Sequence, residues 1–253
     1  MRFASLGSGS RGNGTLVEYD QTTLLVDLGF SVREAEKRLQ KLGRTPEDID
    51  AILVTHEHSD HIQGVPGFAR KYDLPVYLTH GTGSQADLSC RTHVVNIHRS
   101  FELGDILVEP VAVPHDAREP CQYIFSANNM RIGILTDLGH VSSHVRESYA
   151  SCDALVLETN HDEAMLKEGP YPWPLKQRVG GDLGHLSNFQ AGTLLESMDL
   201  DRLRFLLLSH LSEQNNQPAL VMDAIEPLVR GRATDVRVSE QNTVTGWIDL
   251  IAG

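Results

Sequence analysis

Six residues limit this chain more than any other part of it. His56-Glu57-His58-Ser59-Asp60-His61 follows directly on the apolar, β-branched stretch Ala51-Ile-Leu-Val-Thr55, so a buried strand ends in a loop crowded with imidazole and carboxylate. In an extended chain, residues two apart project to the same side, and His56 and His58 can therefore reach one ion from neighbouring positions. Asp60 and His61, beyond a turn, can point at a second place close by. Imidazole nitrogen and carboxylate oxygen suit Zn²⁺ or Mn²⁺, with Fe²⁺ also accommodated, and no thiolate is required. Packing gives no reason to gather three histidines and an aspartate behind a strand, so metal ligation is the reading.

The chain around this loop is long enough for one large domain: 253 residues bury an ample interior without disulfide staples. Its 40% hydrophobic and 22% charged residues exclude wholesale disorder and fibrous structure. With 22 Lys and Arg against 34 Asp and Glu, the net charge of −12 argues against a surface that attracts nucleic acid or anionic lipid everywhere; only a local basic strip is left room. Cys90, Cys121 and Cys152 are widely spaced with no CxxC, which encodes neither a disulfide framework nor a thiolate zinc site and fits a reducing compartment. No stretch approaches the roughly 18 apolar residues of a membrane span, and Met1 to Gly9 lacks an apolar signal core. A cytoplasmic chain without membrane contact is expected.

Short β-rich runs alternate with helical stretches along residues 1–253, predicting one α/β domain with many strands, two sheets and outer helices. Ser31-Val-Arg-Glu34 reads as a capping box, Thr45-Pro46 as another helix start, and Ser187 as the start of a helix running to about Met198. The Pro- and Gly-rich segment from Gly169 to Gly181 reads as a loop. Three further β-rich runs end in a ligand type: Val111-Ala-Val-Pro-His115, Gly133-Ile-Leu-Thr-Asp137 and Phe205-Leu-Leu-Leu-Ser-His210.

The motif HxHxDH followed in order by a distant His, Asp and His resembles the metallo-β-lactamase superfamily over essentially the whole chain. The resemblance implies a four-layer αββα sandwich with two divalent metal ions. His56, His58 and His115 would hold one, Asp60, His61 and His210 the other, and Asp137 would bridge. Asp27, ending Thr23-Leu-Leu-Val-Asp27, matches an early strand-end aspartate that supports a ligand histidine. Two such ions roughly 3.5–4 Å apart activate water and neutralise the developing oxyanion, so hydrolysis is the natural reaction, with Asp60 both a ligand and the group that orients the attacking water.

Glu158-Thr-Asn-His161 and Gly184-His185-Leu-Ser-Asn resemble the phosphodiesterase branch, in which a strand-end Glu orients a His that precedes a helix. His185 is then the general acid that protonates the leaving oxygen, and Glu158 its orienter. The opening Ser8-Gly-Ser-Arg11-Gly-Asn13-Gly and the terminal Ser209-His-Leu-Ser-x-x-Asn-Asn216 narrow the resemblance to the YycJ/WalJ-like group, implying 5′ to 3′ exonuclease action on double-stranded DNA. Arg11, Asn13, Lys176, Arg178 and His161 are the candidate substrate contacts, and Trp173 offers a stacking face. The interval from Asp137 to His210 is too short for the β-CASP clamp domain of larger nucleases. The alternatives are a small phosphodiester such as a cyclic phosphate or nucleotide, a thioester or lactam, or a non-catalytic metal-binding regulator. A homodimer is compatible with all of them.

Overall fold

Thr22–Val26 and Ala51–Leu53 lie parallel, with Leu24 opposite Ala51 and Val26 opposite Leu53. Both strands are buried along their whole length, as continuous apolar runs in parallel sheets require. They sit inside a seven-stranded sheet of order Ile248–Asp249, Arg2–Gly7, Gly14–Tyr19, Thr22–Val26, Ala51–Leu53, Val76–Thr79 and Thr92–Val95. Its first three pairings are antiparallel and the rest parallel. This computed structural model describes residues 1–86 and 88–250, and two compact units emerge from it.

The first unit, residues 1–112, 117–130 and from Glu240 onward, contains that sheet and an antiparallel ladder of Phe101–Leu103, Ile106–Ala112 and Cys121–Ala127. The helix Val32–Lys41 covers the sheet by burying Ala35 and Leu39, and Ser31 Oγ caps it by accepting from Glu34 N at 3.3 Å. Leu16, Leu25, Leu28, Phe30, Ile52 and Phe68 are among the buried side chains of this core.

The second unit, residues 113–116 and 131–239, holds parallel strands of which Ala154–Glu158, Phe205–Ser209 and Asp235–Val238 are consecutive neighbours. Ile132 to Leu135 pairs along Ala154 to Leu157, so Leu135 faces Leu157 and Glu158 faces Ser209. That register brings the residues following these strands to one edge, the usual ligand edge of an α/β sheet. The helix Asn188–Glu196 starts from a reciprocal cap: Ser187 Oγ accepts from Gln190 N at 3.2 Å and Gln190 Oε1 accepts from Ser187 N at 2.8 Å.

Two local expectations give way. Thr45-Pro46 opens a single 3₁₀ turn, Pro46–Asp48, because Asp48 Oδ2 accepts from Thr45 N at 2.7 Å and Ile49 returns at once to extended backbone before the next strand. The Gly169 to Gly181 segment contains a helix, Trp173–Val179. Pro174 lies in its first turn, where the absent N–H removes no helical bond, and Gly180 N closes its end on Lys176 O at 3.0 Å. No helix among the described residues is long and apolar enough to cross a membrane.

Candidate active site

In the first unit the ligand loop is fastened to the neighbouring strand through Asp27. Its Oδ1 accepts from Thr55 N and its Oδ2 from Thr55 Oγ1, each at 2.8 Å. The same Oδ2 lies 2.8 Å from His61 Nδ1, so the aspartate fixes the tautomer and leaves His61 Nε2 with the lone pair. Thr55 Oγ1 in turn lies 2.9 Å from His56 Nδ1. The rings of His56 and His58 have centroids 4.6 Å apart and those of His56 and His61 4.2 Å apart, a density of imidazole that neutral packing does not call for. Asp60 Oδ2 lies 3.4 Å from His61 Nε2.

In the second unit Asp137, Glu158, His185 and His210 each bring a donor atom within 4.8 Å of the others'. Glu158 is fully buried and organises the group. Its Oε1 accepts from His185 Nδ1 at 2.8 Å and His210 Nδ1 at 3.0 Å, while its Oε2 accepts from Leu138 N at 3.2 Å and Leu186 N at 3.0 Å. Burial alone would push this carboxyl up, but the charge of His185 and the hydrogen bonds from both imidazoles outweigh it and hold the group down at about 2. Burial pulls the His185 imidazole down, and the Glu158 carboxylate more than restores it, so the net direction is upward. His115, also in this unit, has its Nδ1 3.0 Å from Gly184 O.

Asp27, Asp137 and His210 share a backbone feature. Their φ angles of 59°, 54° and 57° fall in the left-handed region, which non-glycine residues seldom adopt. Each stands just past the end of a strand, where this turn redirects the chain at the sheet edge. Backbone held in this way is typical of functional sites.

The donor set fits metal. His56, His61, His115 and His210 each have Nδ1 engaged by a hydroxyl, carboxylate or carbonyl within their own unit, which presents Nε2 as the ligand atom, the arrangement that metal-binding histidines favour.

The candidate substrate contacts separate into distinct environments. Arg11 is exposed, and its backbone N donates to Gln241 Oε1 at 2.7 Å. Asn13 is buried: its Oδ1 accepts from Gly9 N at 2.8 Å, and its Nδ2 lies 3.2 Å from Asp60 Oδ2 and 3.0 Å from His61 Nε2. It therefore braces the ligand loop from the Gly- and Ser-rich turn. Arg178 is exposed, but its Nε is paired with Asp116 Oδ2 at 2.6 Å, which answers its charge. Lys176 Nζ donates to Lys167 O at 2.7 Å, and His161 is buried at 3% exposure.

The duty of Thr55 and the partners of the buried asparagines escaped the sequence reading. Thr55 couples Asp27 to His56, yet a threonine ending a β-branched run carries no signal of that duty. Asn216 Nδ2 donates to Thr159 O and Asn188 Oδ1, each at 2.8 Å, while Asn188 Nδ2 donates back to Asn216 Oδ1 at 3.0 Å. Asn160 Nδ2 donates to His210 O at 2.9 Å. These buried amides tie the segment after Glu158 to the start of the Asn188 helix and to His210. The pair Asn215-Asn216 was visible in the sequence, but its partners were not.

The beta-lactamase superfamily domain matches residues 22–210. The exodeoxyribonuclease YycJ of Bacillus anthracis is 36% identical over 242 residues, covering 93% of this chain and 92% of that protein. The exodeoxyribonuclease WalJ of Streptococcus pneumoniae serotype 2, strain D39, is 38% identical over 223 residues, 85% of this chain and 83% of that protein. Among solved structures, the metallo-β-lactamase fold protein YhfI of Bacillus subtilis superposes with a TM-score of 0.74 at 15% identity, covering 96% of this chain and 97% of that one. The fold class is thus the αββα metallo-β-lactamase sandwich, and the chain belongs to the β-lactamase superfamily, with YycJ and WalJ among its relatives.

Proposed function

We propose that this chain is a metal-dependent DNA exonuclease that hydrolyses phosphodiesters from the 5′ ends of double-stranded DNA. The hydrogen bond from His185 Nδ1 to the buried Glu158 carboxylate carries the reading, since it equips an imidazole to act as an acid. An alkoxide is a poor leaving group, and a positioned proton donor accelerates its departure by roughly 10²–10⁴-fold. A lactam or thioester has less need of one. The nucleases YycJ and WalJ, similar over most of the chain, support DNA over a small phosphodiester.

His56, His58 and His115 are assigned to one ion, Asp60, His61 and His210 to the other, and Asp137 to both. Two divalent cations held by these residues would lower the pKa of a bound water and offset the negative charge of the phosphoryl oxygens. The protein's own groups do the rest. Asp60 orients the attacking water by accepting its hydrogen bond. Glu158 keeps His185 Nδ1 protonated, so His185 Nε2 is the atom that gives its proton to the leaving oxygen and is recharged from solvent at its 22% exposed face. Asp27 keeps His61 in the ligating tautomer. Arg11, Lys176 and Arg178 offer positive charge to the DNA backbone, Arg178 by exchanging Asp116 for phosphate.

Protein loaded with Mn²⁺ or Zn²⁺ should release nucleotides from a free 5′ end of duplex DNA and leave an end-blocked duplex intact. Asp60→Ala should abolish release. Equal activity in that variant, or attack on cyclic nucleotides in preference to DNA, would replace this reading with the small-phosphodiester one.

A further inference from the structure

We propose that the second unit carries a nucleobase site beside His185, formed by Trp173 and Phe189 over His161 and Leu166, with Lys167 and Lys176 at its rim to meet backbone phosphate. The proposal rests on the nuclease reading and names where that substrate is gripped. These residues line a cavity of about 430 Å³, within the roughly 300–1,000 Å³ of small-molecule sites.

Four observations converge on a base. Trp173 and Phe189 are 67% and 72% exposed, an uncommon state for two large aromatics on one cavity, and Trp173 stands in the first turn of its helix. Exposed aromatic faces are what unpaired bases stack on, at roughly 1–3 kcal/mol per base, so the occupant is a terminal base that has left the duplex end. The cavity also has a polar element: His161, only 3% exposed, is among its lining residues, which suits a heterocycle with a hydrogen-bonding edge better than an aliphatic ligand. Burial pulls the His161 imidazole down, which favours its neutral form.

Charge follows the same pattern. In a chain of net charge −12, two lysines edge this cavity, and the one acidic lining residue, Glu163, already accepts from Ser187 Oγ at 3.0 Å. Placement agrees as well. The cavity is walled by the helix Trp173–Val179 and the start of the helix Asn188–Glu196; the segment between them carries His185, whose backbone N donates to Val179 O at 2.8 Å. Asn188 N donates to His161 O at 2.9 Å, locking the floor to the same segment. A base seated here belongs to the nucleotide whose oxygen His185 protonates.

The test is binding to chelator-treated protein, read by the fluorescence anisotropy of end-labelled oligonucleotides, with an oligothymidylate and an abasic oligomer of equal length and charge. Wild type should bind the base-containing strand about tenfold more tightly. Trp173→Ala and Phe189→Ala should each lose most of that preference, whereas Trp173→Phe should retain much of it. Both side chains are exposed, so folding is not at issue. Equal affinity of wild type for the two strands, or an undiminished preference in Trp173→Ala and Phe189→Ala, would overturn the site. Since no hydrolysis enters this measurement, a base preference in a protein that fails to cleave DNA would remove the nuclease reading alone.

Discussion

His210 Nδ1 lies 3.0 Å from Glu158 Oε1, the carboxylate oxygen that also receives the Nδ1 proton of His185. One buried anion therefore orients both a proposed metal ligand and the proposed general acid, and a change at Glu158 reports on both.

Glu158→Gln should lower kcat on DNA by roughly 10²–10⁴-fold, with a much smaller loss on bis(p-nitrophenyl) phosphate, whose p-nitrophenolate leaves without a proton, and should weaken metal binding by roughly 10–100-fold. The glutamine amide would also face the N–H groups of Leu138 and Leu186, at a cost of about 1–3 kcal/mol in stability. His185→Ala should lower kcat on DNA while leaving metal content unchanged. Parallel kinetics and metal titration on the two variants separate the roles; identical metal affinities in wild type and Glu158→Gln would deny the link through His210.

Asp27→Asn keeps shape and suits the left-handed backbone, where asparagine is tolerated. One of the three groups that Asp27 accepts from, Thr55 N, Thr55 Oγ1 or His61 Nδ1, then meets an N–H instead of an oxygen. Metal affinity should fall roughly 10–100-fold, and melting should show a loss of about 1–3 kcal/mol. An unaltered dissociation constant in isothermal titration would contradict the role assigned to Asp27.

How much of this was legible before the fold varies with the physics. His56, His58, Asp60 and His61 stand out because no packing demand groups them, and Asp27 stands out as a carboxylate closing an apolar run. The Trp173–Val179 helix was hidden because the prolines that permit its first turn also mark a loop. The partner of Arg178 was hidden for another reason: Asp116 is 62 residues away, and only the fold pairs them. Asn13 reads as a substrate contact in a Gly- and Ser-rich turn, yet the close approach of that turn to the ligand loop buries it at 7% exposure.

Gly29 makes that approach visible. A methyl group there would collide with the carbonyl of Asp60, and no rotamer relieves a clash between backbone and Cβ. Gly29→Ala should displace the ligand loop and depress hydrolysis at least tenfold with every proposed ligand still in place. Circular dichroism would show the fold retained; wild-type kinetics in this variant would refute the tight loop packing.

Metal binding should also stabilise the chain. At free Mn²⁺ or Zn²⁺ about 100-fold above the dissociation constant, linkage contributes about 2.7 kcal/mol for each ion, or about 5.4 kcal/mol for two. For a chain of this size, that raises Tm by roughly 10–20 °C. Differential scanning calorimetry with and without chelator should show the rise, and His115→Ala should reduce it.

The central claim is that seven side chains hold two ions, and metal stoichiometry tests it most directly. Protein equilibrated with Mn²⁺ or Zn²⁺ and desalted should carry about two ions per chain by elemental analysis, falling to one or fewer in Asp137→Ala with hydrolysis lost in parallel. Fewer than one ion per wild-type chain, or full occupancy in Asp137→Ala, would contradict the account.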